Sequence, residues 1–156
     1  MILCTECYIQ QVGKTLMLYR NKKVGDINKG KWIGLGGKFE PGESPEQCLI
    51  REVREEAGVT LTEFKLRGII TFVILDDASS EPLCIFIYTA SRFVGDIAES
   101  CDEGTLEWVA TEKVTDLNLW EGDRLFWGWM QDGDKLFSAR FEYEGSTLTD
   151  HQVTFY

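Results

Sequence analysis

The chain has one histidine, three prolines and no run of 18 apolar residues, and each shortage removes a class of function. Without such a run no segment is built to cross a membrane as a helix. The opening "MILCTECYIQ" has neither a basic n-region nor a cleavage pattern, so a soluble, cytoplasmic protein without membrane contact is expected. The single histidine, His151, leaves the C-x-x-C spacing of Cys4 and Cys7 without a second pair of zinc ligands. In an opening strand, an odd spacing sends Cys4 and Cys7 to opposite faces, as packing residues. The five cysteines (with Cys48, Cys84 and Cys101) are odd in number and scattered, which fits reduced thiols and no disulfide. Positive charge is also scarce: 16 basic residues face 26 acidic ones, a net charge of −10. Such a surface repels a polynucleotide, whereas a small anion can bind if a metal ion bridges it.

There is no internal repeat, low-complexity tract or linker-like break. With 156 residues, 5 Trp and 9 Phe, the chain is expected to form one domain over residues 1–156 with a substantial core.

What is present reads as hairpins around two helices. "LCTECYIQQV" and "KTLMLY" predict strands joined at Gly13-Lys14, followed by a twelve-residue polar loop, "RNKKVGDINKGK". Ser44 to Gly58 carries helix signals at both ends. Ser44 is the N-cap, Pro45 opens the helix, Gln47 closes a capping box and Gly58 ends it. Leu49, Val53 and Ala57 follow at four-residue steps and face the core. "FKLRGIITFVIL" and "LCIFIYTASRFV" predict a hairpin across "DDASSEP", and "TLEWVA" a further strand. "GDRLFWGWMQ" has helical spacing, and "KLFSARFEYEG" with "STLTDHQVTFY" closes the chain as strands. Antiparallel hairpins with two helices imply an α+β fold or a layered α/β/α arrangement rather than regular βαβ alternation.

On the first helix Glu52, Glu55 and Glu56 fall within an arc of roughly 100°. Like charges at these spacings, close to the negative end of a helix dipole, need compensation. Solvent and Arg51, four residues before Glu55, supply the ordinary form of it. The alternative is a divalent cation held by carboxylate oxygens, as Mg²⁺ prefers.

The upstream context favours the cation. "GKFEPGESPEQCLIREVREEAGV" fits G-x5-E-x7-R-E-U-x-E-E-x-G-U, with U a bulky aliphatic, at Gly37, Glu43, Arg51, Glu52, Val53, Glu55, Glu56, Gly58 and Val59. A chance match at a given start is on the order of one in 10¹⁰. This is the Nudix box, here residues 37–59, and the chain resembles the Nudix hydrolases. The resemblance implies an α/β/α sandwich with a mixed central sheet and two main helices. It further implies hydrolysis of a nucleoside diphosphate linked to another group. By the same resemblance the Gly36 carbonyl, Glu52, Glu55 and Glu56 are Mg²⁺ ligands, with Mn²⁺ as the alternative ion. Lys38 contacts phosphate, and Arg51 and Glu43 brace the site. Glu103 in "ESCDEGTLEW" is similar to a later glutamate that joins the metal site of the MutT branch; its other reading is a surface loop acid.

The chain lacks the proline that ADP-ribose hydrolases carry some fifteen residues past the box, and the tyrosine of dinucleoside polyphosphate hydrolases. Its order of "KWIGLGGK", the strand ending at Phe72, "CDEGTLEW" and "LWEGDRLFW" resembles the MutT-type oxidised purine nucleoside triphosphatases over nearly the whole length. That likeness implies that Trp120 stacks on the base, Asp123 hydrogen-bonds its edge and Phe72 closes the pocket. Core packing is the other reading of Trp120. The chain departs from the mammalian pattern in having Ile33 for an asparagine and Gly122-Asp123 for an acidic pair, so base preference does not transfer directly.

The expected activity is Mg²⁺-dependent hydrolysis of 8-oxo-dGTP, and of other oxidised purine nucleoside triphosphates, to monophosphate and pyrophosphate by a monomer or weak dimer. Glu55 is the nominated general base, although spacing does not separate ligand from base among clustered acids. A less selective triphosphatase and a nucleotide-sensing domain without catalysis are the alternatives, and the "RNKK" strip keeps an RNA 5′-end hydrolase open.

Overall fold

The alternation in the first twenty residues becomes two strands, but they diverge almost at once. In the computed structural model, which describes residues 1–156, β1 (Ile2–Gln11) and β2 (Lys14–Arg20) pair only at Gln10↔Thr15 and Gln11↔Lys14. Beyond the Val12-Gly13 turn β2 runs along β3 (Trp32–Ile33) and β7 (Gly104–Ala110), both antiparallel. β1 is flanked instead by β4 (Leu35–Lys38), antiparallel, and β6 (Leu83–Val94), parallel. The short strands β3 and β4 within "WIGLGGK" carry no periodic signal of their own.

β5 (Thr60–Ile74) pairs antiparallel with β6 across the acidic turn, as the sequence predicts. It also pairs parallel with β8 (Phe137–Glu144), which forms a closing hairpin with β9 (Thr147–Phe155). The path β3-β2-β1-β6-β5-β8-β9, with β4 beside β1 and β7 beside β2, is therefore a mixed sheet.

One helix covers each face. α1 (Pro45–Ala57) begins with the predicted capping box: Gln47 N–H donates to Ser44 Oγ at 3.2 Å and Ser44 N–H to Gln47 Oε1 at 2.9 Å. Gly58 ends it at φ 75°, left-handed backbone that glycine adopts without strain. Leu49, Val53 and Ala57 are fully buried against Cys7, Ile9, Leu16 and Leu18. On the opposite face Phe126, Trp127 and Met130 of α2 (Glu121–Asp132) pack on Tyr8, Phe137 and Phe141. A 3₁₀ turn, Thr111–Asp116, links β7 to the approach of α2.

Alternation along β1 serves both cores. Cys7 and Ile9 point to α1, while Tyr8 joins the α2 side together with Ile2, Cys4 and Glu6, which line a cavity there. Cys4 and Cys7 thus separate as expected, and all five cysteines are free thiols. No helix is long and apolar enough to cross a membrane.

Candidate active site

The antiparallel pairing of β1 with β4 lays Gly36 and Gly37 opposite Glu6 and Thr5, and α1 packs against that edge. The arrangement brings the helix acids to the glycine strand. A Cβ on Gly37 would lie 2.5 Å from Glu52 Cδ, so the carboxylate rests directly on the glycine backbone. Gly36 N–H donates to Glu56 Oε1 at 2.7 Å, while Glu56 Oε2 is buried without any partner. Glu103, delivered at the start of β7, approaches from the other side: ligand atoms of Glu56, Cys101 and Glu103 lie within 4.8 Å of one another.

Burial sets the charge state of these acids. It pushes the Glu56 carboxyl up to about 8, with Glu103 and Glu52 adding repulsion against the Gly36 hydrogen bond. Glu52 is likewise raised, mainly by desolvation and against its bond to Arg51. Desolvation also works on Glu103, but Lys23, 3.1 Å away, holds that carboxyl below its ordinary value. A buried acid that is raised and half-unpaired is a group that a bound cation would stabilise in its charged form. Glu56, Glu103 and Glu52 offer oxygens, the donor type that a hard divalent ion takes. Cys101, which the sequence reading did not single out, has its thiol pushed up by burial and donates to Glu103 Oε2 at 3.5 Å. It stays protonated and supports the glutamate rather than binding a hard ion.

Glu55 is not drawn into this group. Its side chain is 58% exposed and faces Arg51 Nη1 at 3.4 Å, so the three helix acids share an arc but differ in burial. Arg51 is the brace. It donates to both Glu43 oxygens at 2.6 and 2.9 Å, to Glu52 at 2.8 Å and to the Lys38 carbonyl at 3.0 Å, tying α1 to the loop after β4. The paired guanidinium holds the Glu43 carboxyl down at about 2.

Beside the acids opens a cavity of about 700 Å³. Its wall includes Gly36, Gly37, Lys38, Glu52 and Glu103, an acidic and glycine-rich part, as well as Ile33, Phe72, Trp120 and Asp123, where Phe72 and Trp120 pack together. Trp120 reconciles its two readings, because it is 5% exposed and part of the α2 core, yet also forms cavity wall. Its indole N–H donates to Asn28 Oδ1 at 2.8 Å, and Phe72 and Tyr143 meet it edge-on at 5.6 and 5.3 Å. Lys31 Nζ stands 5.2 Å from its ring centroid, so a stacking ligand takes the other face or displaces the lysine. Asp123 is driven well above the carboxylate range by burial and then by the Glu6 charge, against Lys31.

Packing explains Gly122. A Cβ there would fall 2.7 Å from the Phe141 ring and 2.8 Å from the Tyr143 hydroxyl, to which Gly122 N–H donates. No acidic side chain fits at that position.

Sequence reasoning also missed Glu6 and Asn28. Asn28 sits in a polar loop with nothing to distinguish it, but Glu6 left a signal, a charged residue within an apolar alternating strand.

Comparison with known proteins gives a consistent picture. A family model described as the NUDIX domain matches residues 7–130. An uncharacterized Nudix hydrolase, YvcI of Bacillus subtilis, is 31% identical over 140 residues, covering 89% of this chain and 85% of that protein. The oxidized purine nucleoside triphosphate hydrolase of Danio rerio is 30% identical over 152 residues, covering 97% and 93%. The crystal structure of a mutator MutT protein from Bacillus halodurans superposes with a TM-score of 0.88 at 27% identity, covering 98% of this chain and 97% of that one.

Proposed function

The chain belongs to the NUDIX family of hydrolases, and from that premise we propose that it hydrolyses 8-oxo-dGTP and other oxidised purine nucleoside triphosphates to the monophosphate and pyrophosphate, cleansing the nucleotide pool. The observation that carries this reading is the cavity. It joins an aromatic and apolar wall at Phe72, Trp120 and Ile33 to an acidic, glycine-lined part at Glu52, Gly36, Gly37 and Glu103, a composition that takes a base against the one and phosphates against the other. The named relative from Danio rerio supports the purine triphosphate assignment.

Residues 1–156 act as one domain in this reading. Glu52, Glu56, Glu103 and the Gly36 carbonyl would hold Mg²⁺, or Mn²⁺ in its place. When bound, the ion neutralises phosphate charge and lowers the pKa of water. Lys38, in the cavity's acidic part, meets phosphate as a point charge. Arg51 keeps Glu52 and the Lys38 backbone in register through the bonds described above. Glu55, exposed beside Arg51, remains the nominated general base in this reading, its other role being a metal ligand. The unpartnered Glu56 oxygen is assigned to ion binding rather than proton transfer.

The test is a panel of triphosphates assayed for pyrophosphate release with Mg²⁺. 8-oxo-dGTP is expected to exceed dGTP in kcat/KM; parity between them sinks the sanitising assignment. Ile33 and Gly122, which offer the base no polar side chain, favour a second reading as a less selective triphosphatase, and the same panel separates the two.

Trp120→Ala should raise KM for the purine substrate by roughly 10-fold or more while kcat changes little, since base stacking is worth about 1 to 3 kcal/mol. Trp120→Phe keeps a ring and should recover most of the loss. Steady-state kinetics on both variants check this, with thermal melts to register the core packing that the alanine removes.

A further inference from the structure

Near Ile33 the cavity wall carries two carboxyl groups, Glu6 and Asp123, with polar atoms that the protein leaves unused, and burial raises both. Asp123 makes no hydrogen bond to the protein. Glu6 is engaged through one oxygen only: its Oε1 accepts from the Tyr8 hydroxyl at 2.6 Å and from Gly34 N–H at 3.0 Å. No protein group bonds to Oε2, and Glu6 lines the cavity beside Ile33, Gly34 and Asp123. Nearby Arg20 is committed elsewhere, to Asp26 at 2.7 Å. The Glu6 position is rigid: β1 is paired on both sides at this residue, with Gly36 across β4 and Ile87 across β6. A fixed carboxyl group with one oxygen held and one free is an oriented acceptor on the cavity wall, although burial raises its pKa against the bonds from Tyr8 and Gly34.

We propose that Glu6 is a base-reading residue, whose free Oε2 accepts an N–H from the edge of a guanine-type purine. The inference rests on the purine triphosphate reading above and assigns its selectivity to a position on β1. Ile33 offers no hydrogen bond, and Gly122 has no room for a side chain. Glu6 therefore supplies from the strand the acceptor that those two positions lack. An adenine-type base, which carries an unprotonated ring nitrogen where guanine carries N1–H, meets acceptor with acceptor and is rejected.

Glu6→Gln isolates the effect. The amide oxygen can keep the bonds from Gly34 and Tyr8, while the free oxygen becomes an NH₂ donor. The ratio of kcat/KM for 8-oxo-dGTP to that for 8-oxo-dATP is expected to fall by about 100-fold, the scale of a mismatched polar contact in a binding site. The two substrates share the triphosphate and the metal, so general damage to the fold or the acidic part of the cavity cancels in the ratio. Binding of the two monophosphates without metal, followed by tryptophan fluorescence, should show the same reversal in Kd. Glu6→Asp, which keeps the charge but shortens the reach, should give an intermediate ratio and serves if the glutamine variant does not fold. A ratio unchanged within about threefold, in catalysis and in binding, makes Glu6 a structural acid and overturns the inference while leaving the purine triphosphate reading intact. A wild-type protein that hydrolyses no purine triphosphate overturns that reading first, and the inference with it.

Discussion

Glu56→Gln should lower pyrophosphate release by roughly 10³-fold or more, the scale for losing a main electrostatic contributor to the transition state, while leaving the metal-free fold more stable at pH 8. The two effects have one cause. Glu56 is 4% exposed, has one oxygen on Gly36 N–H and the other without a partner, and burial pushes its carboxyl up to about 8. Because its folded pKa lies above the unfolded value, its protonated form favours the fold fully below about pH 4.5, and that contribution is lost as pH rises towards about 8. A tenfold difference in proton affinity between folded and unfolded chain is worth about 1.4 kcal/mol, so metal-free wild type should lose a few kcal/mol of stability across that window. The glutamine stays neutral and should flatten the profile. Thermal melts from pH 5 to 8 in a chelator, repeated with Mg²⁺, read this out: the ion should restore wild type at pH 8 and do little for the variant. Equal turnover by wild type and Glu56→Gln would remove the metal-site argument altogether.

Gly37→Ala should cost about 100-fold in kcat/KM with only a small change in melting temperature, an effect of positioning rather than folding. The new methyl would meet Glu52 Cδ at 2.5 Å and both carboxylate oxygens at 2.6 Å. The far end of a flexible side chain yields more readily than backbone, so the glutamate moves and the strand stays. Its bond from Arg51 at 2.8 Å is then broken or dragged with it. Gly128→Ala is the matched control: nothing lies within 4 Å of a Cβ there, and an alanine in a helix interior should stabilise by about 0.5 to 1 kcal/mol without touching activity. Kinetics over a range of Mg²⁺ concentrations would show the Gly37 variant needing more ion; wild-type kinetics in that variant would mean that Glu52 is not where the reaction requires it.

The parts of the fold readable from sequence are those whose causes are local. Ser44, Gln47 and Gly58 act within one or two turns of α1, and their bonds form as predicted. Leu49, Val53 and Ala57 lie on one side because of helical geometry alone. The helix of "GDRLFWGWMQ" and the hairpins of β5 with β6 and β8 with β9 are local in the same sense. What was not readable depends on partners far along the chain. β1 and β2 look like a simple hairpin, but each finds most of its pairing elsewhere, β1 with β4 and β6, β2 with β3 and β7.

The same division runs through the candidate site. Consecutive residues were enough to establish the family resemblance, the acidic helix with its caps, and the set of residues among which metal, phosphate and base contacts are to be sought, because box spacing and helix periodicity are written along a single stretch. The positions within that set came apart only in three dimensions. Folding buried Glu56 under Gly36, laid Glu52 on Gly37 and left Glu55 exposed with Arg51, a distinction invisible to an arc of about 100° because the sheet edge, not the helix, decides which side of that arc is covered. It also placed Glu6 beside Asp123 across more than a hundred residues of chain. Strand register makes that neighbourhood, and register is a property of pairs of distant segments, which no single stretch of sequence contains.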